Sequence, residues 1–438
     1  MKKIFLIYVF LSSSFLFSNS SEIVNLYHNQ ADELLEKITK WRHHLHEFPE
    51  LSNREFKTAK YIENHLKEIG LEVKTGIAKT GIIAILEGYK PGPFVALRAD
   101  MDALPVVERT GLPYASIQKA KYNGLEVGVM HACGHDAHMA ILMGVAEFFA
   151  ANKDKIPGSI MFIFQPAEEG PPVGEEGGAK LMLQEGIFEE RKPDVIYGLH
   201  VNPAPHGVIA YREGPTMAAA DSWKIVIKGK QAHGSTPWAG IDPVMISSQI
   251  VNSFNTIVSR KLDIRNLPAV VSVGSVHGGV RSNIIPDEVV LEGTIRTYDP
   301  KMRDIIIKEM TTIAESIAAM NGGSAKVIIP NGANYPVTIN DESLTARVIP
   351  ILEKVVASKE FLVRTDRSTG AEDFSYYAQQ VPGFFFFLGV TEEGKDWTKV
   401  AGNHSPYFEV SDPSLELGAK AFVPVSYTHL TLPTKEGV

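Results

Sequence analysis

Met130-His131-Ala132-Cys133-Gly134-His135-Asp136-Ala137-His138 is the stretch on which the reading of this chain turns. From about Ala137 to Asn152 the apolar residues recur at helical spacing, so this run of thiol, imidazole and carboxylate groups sits on the loop and first turn that enter a helix. A thiolate and an imidazole two residues apart can reach one ion from a single turn, because neither needs the backbone to double back. Cys133 is the chain's single cysteine, which allows no internal disulfide. It is either a thiolate held by a metal or a small buried hydrophobe. The surrounding His131, His135, Asp136 and His138 favour the metal.

On either side of this stretch lie short apolar runs that predict buried strands: Gly81 to Leu86, Phe94 to Arg98, Ser159 to Gln165 and Val195 to His200. The second runs into Asp100 and Asp102, the third ends at Pro166-Ala167-Glu168-Glu169-Gly170, and the fourth ends on His200 itself. Acidic groups and a histidine are thus delivered at the carboxyl ends of three strands, where open parallel sheets form their ligand crevices. The fold expected is α/β, a mixed sheet in a three-layer α/β/α metallohydrolase domain. In the tandem Glu168-Glu169 one side chain can ligate an ion while the other stays free to move a proton.

Past Gly214 the pattern changes. A strand from Trp223 to Lys230, a helix from about Asp242 to Leu262, strands at Ala269 to Val276 and Glu288 to Tyr298, a helix from Lys301 to Met320 and a strand at Ala325 to Ile329 follow in the order βαββαβ. That order predicts a ferredoxin-like α+β domain at 215–331, inserted into a discontinuous α/β domain made of 21–214 and 332–424. The α/β part resumes with a helix near Leu344 to Ser358 and an apolar strand from Phe384 to Leu388. Beyond Phe422, Pro424 is expected to stop the terminal helix, and β-formers follow, so 425–438 reads as an atypical tail.

With 438 residues, 44% hydrophobic and 21% charged, the chain can bury two cores. A net charge of −8 without a long basic run gives no electrostatic footprint for nucleic acid. At the amino terminus Lys2-Lys3, the apolar run Ile4 to Leu11 and Ser18-Asn19-Ser20 have the order of a secretory signal peptide over residues 1–20, the alternative being an uncleaved anchor. The expected location is periplasmic or secreted, with no membrane span in the mature form.

Arg98-Ala99-Asp100-Met101-Asp102-Ala103-Leu104-Pro105, His131-Ala132-Cys133-Gly134-His135-Asp136, Gln165-Pro166-Ala167-Glu168-Glu169-Gly170, Gly198-Leu199-His200 and His404-Ser405-Pro406 together resemble the ordered motif set of the M20 amidohydrolases, in the branch of hippurate and auxin-conjugate hydrolases. The resemblance covers nearly the whole mature chain. It implies two divalent metal ions, manganese, zinc, cobalt or nickel, bound by Cys133, His135, Glu169, His200 and His404. Glu168 is then the general base for attack by a metal-held hydroxide on an amide. Asp102 is expected to orient a metal-binding histidine rather than to ligate. For His131 and His138, ligation and packing both stay open.

Within the insert, Gln231-Ala232-His233-Gly234-Ser235-Thr236-Pro237 and Val280-Arg281-Ser282-Asn283-Ile284-Ile285-Pro286 resemble the family's lid motifs. The resemblance implies that His233 stabilises the tetrahedral oxyanion, that Asn283 and Arg281 hold the substrate carboxylate, and that the insert forms a homodimer. The substrates it implies are N-acyl amino acids. An exported dipeptidase or N-acetyl-amino-acid deacetylase shares the chemistry, and a non-catalytic metal-binding protein is the alternative outside enzymology.

Overall fold

The computed structural model describes residues 23, 25–265, 267–332 and 334–432. The predicted signal peptide lies outside them, as do residues 433–438. By its internal contacts the chain divides into one unit of Met1–Gly214, Asn340–Thr365 and Tyr376–Val438, and a second of Pro215–Ile339 and Asp366–Ser375.

The first unit opens with two helices that the apolar spacing did not reveal, α1 (Ala31–Glu47) and α2 (Phe56–Glu68). On α1, Leu34, Ile38 and Leu45 make an inward stripe, but Arg42 and His46 are buried on that face as well and break its apolar character. Strands β1 (Glu72–Ile77), β2 (Gly81–Glu87) and β3 (Lys90–Asp100) follow, then α3 (His135–Ala151), β4 (Pro157–Gln165), β5 (Val195–Pro205) and β6 (Ile209–Tyr211). All nine residues of β4 are buried, so both faces of the sheet are covered there, as a layered α/β fold requires. Helix α3 is buried nearly all round, apolar on every side, and packs on β3 and β5 beneath α1.

The second unit interrupts this order with β7 (Ala219–Lys228), α4 (Pro243–Lys261), β8 (Ala269–Gly278), β9 (Glu288–Thr297), α5 (Pro300–Met320) and β10 (Ser324–Ile328). Asp242 caps α4 by accepting the N–H groups of Val244 and Met245, with Pro243 in the first turn. The strands pair antiparallel in the order β8-β9-β7-β10. One face alternates inward with Trp223, Ile225, Ile227, Leu291 and Ile295 against Ile250, Phe254, Ile306 and Met310 of the two helices. This unit is larger than the 215–331 read from the sequence. Asn334–Tyr335 adds to β7, and the segment around Ser368 returns to it: Ala218 N–H donates to Ser368 and Gly370 carbonyls, and the Tyr298 hydroxyl donates to Ser368.

The first unit then resumes with α6 (Glu342–Leu352), β11 (Leu362–Arg364), β12 (Gly383–Thr391) and α7 (Ser414–Leu430). Its sheet has eight strands in the order β1-β2-β4-β3-β5-β12-β6-β11. The pairs β4–β3, β3–β5, β5–β12 and β6–β11 are parallel, while β1–β2, β2–β4 and β12–β6 are antiparallel. Helix α6 ends at Leu352, short of the expected Ser358, because Val355 and Val356 continue the apolar pattern but pack inward from turns.

The terminal helix corrects the expectation of a stop at Pro424, for α7 runs through that residue to Leu430. An interior proline removes a hydrogen bond and crowds the preceding turn, at about 3 kcal/mol. Phe422, Val423, Val425 and Leu430 are almost fully buried against the core, and burial of each such side chain stabilises by about 1.5–3 kcal/mol. Tertiary packing therefore outweighs the local preference. Among the described residues no helix is long and apolar enough to cross a membrane.

Candidate metal centre

Cys133 is the residue before the cap of α3, and His135 is the helix's first residue. The cap between them is Gly134 at φ +90°, where an added Cβ would lie 2.3 Å from Val201 Cγ2. Only glycine turns the chain there in that backbone region without displacing the neighbour of His200. Glu168 and Glu169 follow β4 in a turn whose first residue, Ala167, is buried and held at φ +52°. His200 lies on β5, and His404 stands in a left-handed turn at φ +69° before α7, its N–H donated to Ala132 O at 2.7 Å. Strained turns of this kind persist only where their surroundings over-determine them.

These segments converge. Cys133 Sγ lies 3.4 Å from His200 Nε2, and His404 Nε2 lies 3.2 Å from Glu169 Oε1. His135 Nε2 is 4.0 Å from both Glu168 Oε2 and Glu169 Oε1. Ligand atoms sharing one tetrahedral ion sit about 3.3–3.8 Å apart, given bond lengths near 2.0–2.3 Å. Cys133, His135 and His200 form one compact donor group, Cys133, Glu169 and His404 a second, and His135, Glu168 and Glu169 a third. His135 Nε2 is buried without a hydrogen-bond partner while Nδ1 faces Asp102, which leaves Nε2 as the nitrogen open to a cation.

The electrostatics agree with that donor set. Burial pushes the Cys133 thiol well above its usual pKa, and Glu169 and Glu168 push it further, so only a cation among these groups makes a thiolate there. Burial opposes the protonation of His135, but Asp100, Asp102 and Glu169 outweigh it and raise its pKa to about 10. A field that grips a proton so firmly also favours a divalent ion. The residues present fit metal binding.

Around the donors, hydrogen bonds settle orientation. His200 Nδ1 donates to Val201 O at 2.7 Å, which leaves Nε2 as the nitrogen that could ligate. His138 accepts the Val201 N–H on Nε2 at 2.9 Å and donates from Nδ1 to Asp100 at 2.6 Å. With both nitrogens engaged, His138 braces the strand rather than ligating. Asp100 is in turn paired with the buried Arg98 at 2.5 Å. Asp102 accepts the N–H groups of Glu168 and Glu169 at 3.0 Å each and the Ser52 hydroxyl at 2.6 Å, and faces His135 Nδ1 at 3.4 Å. His131 is buried, joins none of the donor groups, and has its pKa pushed down to about 3 by burial.

His233, Arg281 and Asn283 belong to the second unit, where a two-stranded pairing joins their segments. Gly234 N–H donates to Asn283 O at 2.8 Å, Ile284 N–H donates to Arg281 O at 3.2 Å, and the His233 ring is exposed with Nδ1 accepting from Ser235 N at 3.1 Å.

Several supporting residues had no signal in the sequence. Glu55 accepts the Ala167 N–H at 2.9 Å and the Thr80 hydroxyl at 2.7 Å, so Glu55 and Asp102 between them capture three successive N–H groups of the glutamate turn. Burial, with Asp102 nearby, lifts the Glu55 pKa to about 8. Arg42, His46, Glu108 and the half-buried Asp412 form a charge network around Asp136. Asn403 directly precedes the His404-Ser405-Pro406 motif, and that adjacency is the signal the sequence offered for it.

The family model described as peptidase family M20/M25/M40 matches residues 96–426. Thermostable carboxypeptidase 1 of Saccharolobus solfataricus is 40% identical over 91% of this chain and 97% of its own. The N-acetyl-L-cysteine deacetylase of Bacillus subtilis is 39% identical over 85% of this chain and 83% of its own. Among solved structures, a Bacillus subtilis protein described as a dinuclear metal binding peptidase from the M20 family matches with a TM-score of 0.73 and 33% identity, covering 91% of this chain and 99% of that one.

Proposed function

Because the chain belongs to peptidase family M20/M25/M40 and is a metal-dependent hydrolase of amide or peptide bonds, we propose that it releases the amino acid from N-acyl amino acids, hippurate-like or similar conjugates. The observation that carries this reading is the pair of donor groups that share Cys133, with Glu168 against His135 at their edge.

Cys133, His135, Glu169, His200 and His404 would hold two divalent ions, in keeping with the relative described as dinuclear. When bound, the ions polarise the scissile carbonyl and make water acidic enough to be a nucleophile at neutral pH. Glu168 takes the proton of the attacking water and passes it to the leaving nitrogen, work that needs a carboxylate not committed to ligation. Asp102 and Glu55 keep both glutamates aimed by holding the turn beneath them. His233 supplies a donor for the oxyanion, and Arg281 with Asn283 takes the substrate carboxylate.

Export is part of the proposal, supported by the charged, apolar and small-residue order of residues 1–20. So is a homodimer through the insert: β8 is an edge strand whose Val270 and Val276 are exposed. A monomer by light scattering that retains full activity overturns the dimer.

The test is amine release from a panel of N-acyl amino acids and dipeptides, with protein stripped by chelator and reloaded separately with manganese, zinc, cobalt or nickel. Metal-restored turnover of acyl amino acids is the expected result. Preference for dipeptides, or for N-acetyl amino acids as the relative named a deacetylase suggests, moves the substrate within the same chemistry. No turnover with any ion overturns the proposal.

A further inference from the structure

We propose that Asn403 is a positioning residue that locks three separate ligand-bearing segments into one frame; this rests on the metal-centre reading above. The Asn403 side-chain nitrogen donates to Cys133 O at 3.1 Å and to Val201 O at 3.1 Å. Cys133 is itself a donor residue, Val201 follows His200, and Asn403 precedes His404. One amide group therefore ties together the loop before α3, the strand β5 and the turn before α7. Two carbonyl oxygens at hydrogen-bond distance require an N–H donor between them, so the chemistry of the neighbours fixes which way the amide is turned.

The Val201 peptide shows why this matters for the metal. Its N–H is held by His138, and its carbonyl accepts from both His200 Nδ1 and Asn403. The bond from His200 decides which ring nitrogen is free to bind an ion, and Asn403 anchors the acceptor of that bond. On the opposite side the same amide holds the carbonyl of the residue whose thiol enters both donor groups. Outer partners of this kind typically hold about 10–100-fold of metal affinity.

The experiment compares wild type, Asn403→Asp and Asn403→Ala with Val348→Ala, a core substitution on α6 that lowers stability away from the ligands. Cobalt and zinc dissociation constants are read by competition with a chromophoric chelator, the visible absorption of the cobalt-loaded proteins reports coordination, and thermal unfolding of the stripped proteins reports stability. Asn403→Asp keeps the shape but sets an oxygen against two carbonyl oxygens, while its added negative charge would by itself attract a cation. The expected result is weaker binding of both ions, by about 10-fold or more in either Asn403 variant, and an altered cobalt spectrum, with Val348→Ala binding as wild type does. Unchanged affinity and spectrum in Asn403→Ala and Asn403→Asp overturn the role of Asn403. An equal loss in Val348→Ala at matched stability overturns it too, by reducing the effect to stability. If wild type itself retains no cobalt or zinc, the metal centre fails first and the frame falls with it.

Discussion

The guanidinium of Arg42, fully buried on α1, is paired with the carboxylate of Asp136 on the first turn of α3 at 2.9 Å. Arg42 also donates to the Tyr114 hydroxyl, to Asp412 and to Val410 O, while His46, one turn further along α1, donates to the same Asp136 oxygen and reaches Glu108. Asp136 directly follows His135, so the start of α3 is anchored by interior charge.

Breaking a buried pair strands the remaining charge, at about 3–5 kcal/mol. Arg42→Met and Asp136→Asn are each expected to lower unfolding free energy by that order in urea titrations. The double variant should lose less than the two single losses together, because the stranded charge is then gone. Strict additivity would show that the pair does not couple.

Stability should also fall on the alkaline side. Burial opposes the charge on His46, but Asp136 and Glu108 outweigh both burial and the nearby Arg42, so its pKa lies above the ordinary 6.5. A raised folded value contributes stability that is complete below 6.5 and disappears as pH climbs through the raised value. Asp136 works in the opposite direction: burial would raise its pKa, but Arg42 and His46 hold it well below the ordinary 3.8, so its share is lost only in acid. Urea midpoints of wild type and His46→Gln should therefore converge as pH rises above neutrality. A constant gap would refute the assignment.

Glu168→Gln should lower kcat by about 10²–10⁴-fold, the usual weight of a general base, while metal content by elemental analysis stays at the wild-type level. Loss of metal along with activity would place Glu168 among the ligands instead.

Gly134→Ala forces a side chain into left-handed backbone, at about 1–2 kcal/mol, and drives its Cβ against Val201. Thermal unfolding should show that loss, and metal titration should show weakened binding, because Val201 carries the acceptor of His200. Wild-type affinity in this variant would mean that the loop relaxes without disturbing β5.

The strands that lead to Asp102 and Glu168 and the one that carries His200 are legible in the sequence because a strand covered on both faces holds a short unbroken apolar run, as Ile160 to Phe164 of β4 is. The helices of the insert are legible for the opposite reason, since each has one apolar face and a sharp start at Asp242 or Asp299. Helix α1 escapes notice because Arg42 and His46 occupy its inward face, and their meaning lies in Asp136, which is 94 positions from Arg42 and 90 from His46. Local spacing carries nothing about a partner so far along the chain. Pro424 misleads in the same way, because a residue's preference is visible in sequence and the packing that overrides it is not.

The donors are strung along the chain in an order that has a biosynthetic consequence. Cys133, His135, Glu169 and His200 all precede the insert, whereas Asn403 and His404 follow it and are synthesised later. A nascent or truncated chain can present a thiol, two imidazoles and a carboxylate without the turn that closes them together. Firm retention of metal thus becomes a sign that synthesis has passed the insert and reached His404, and is withheld from any product that stops before that turn.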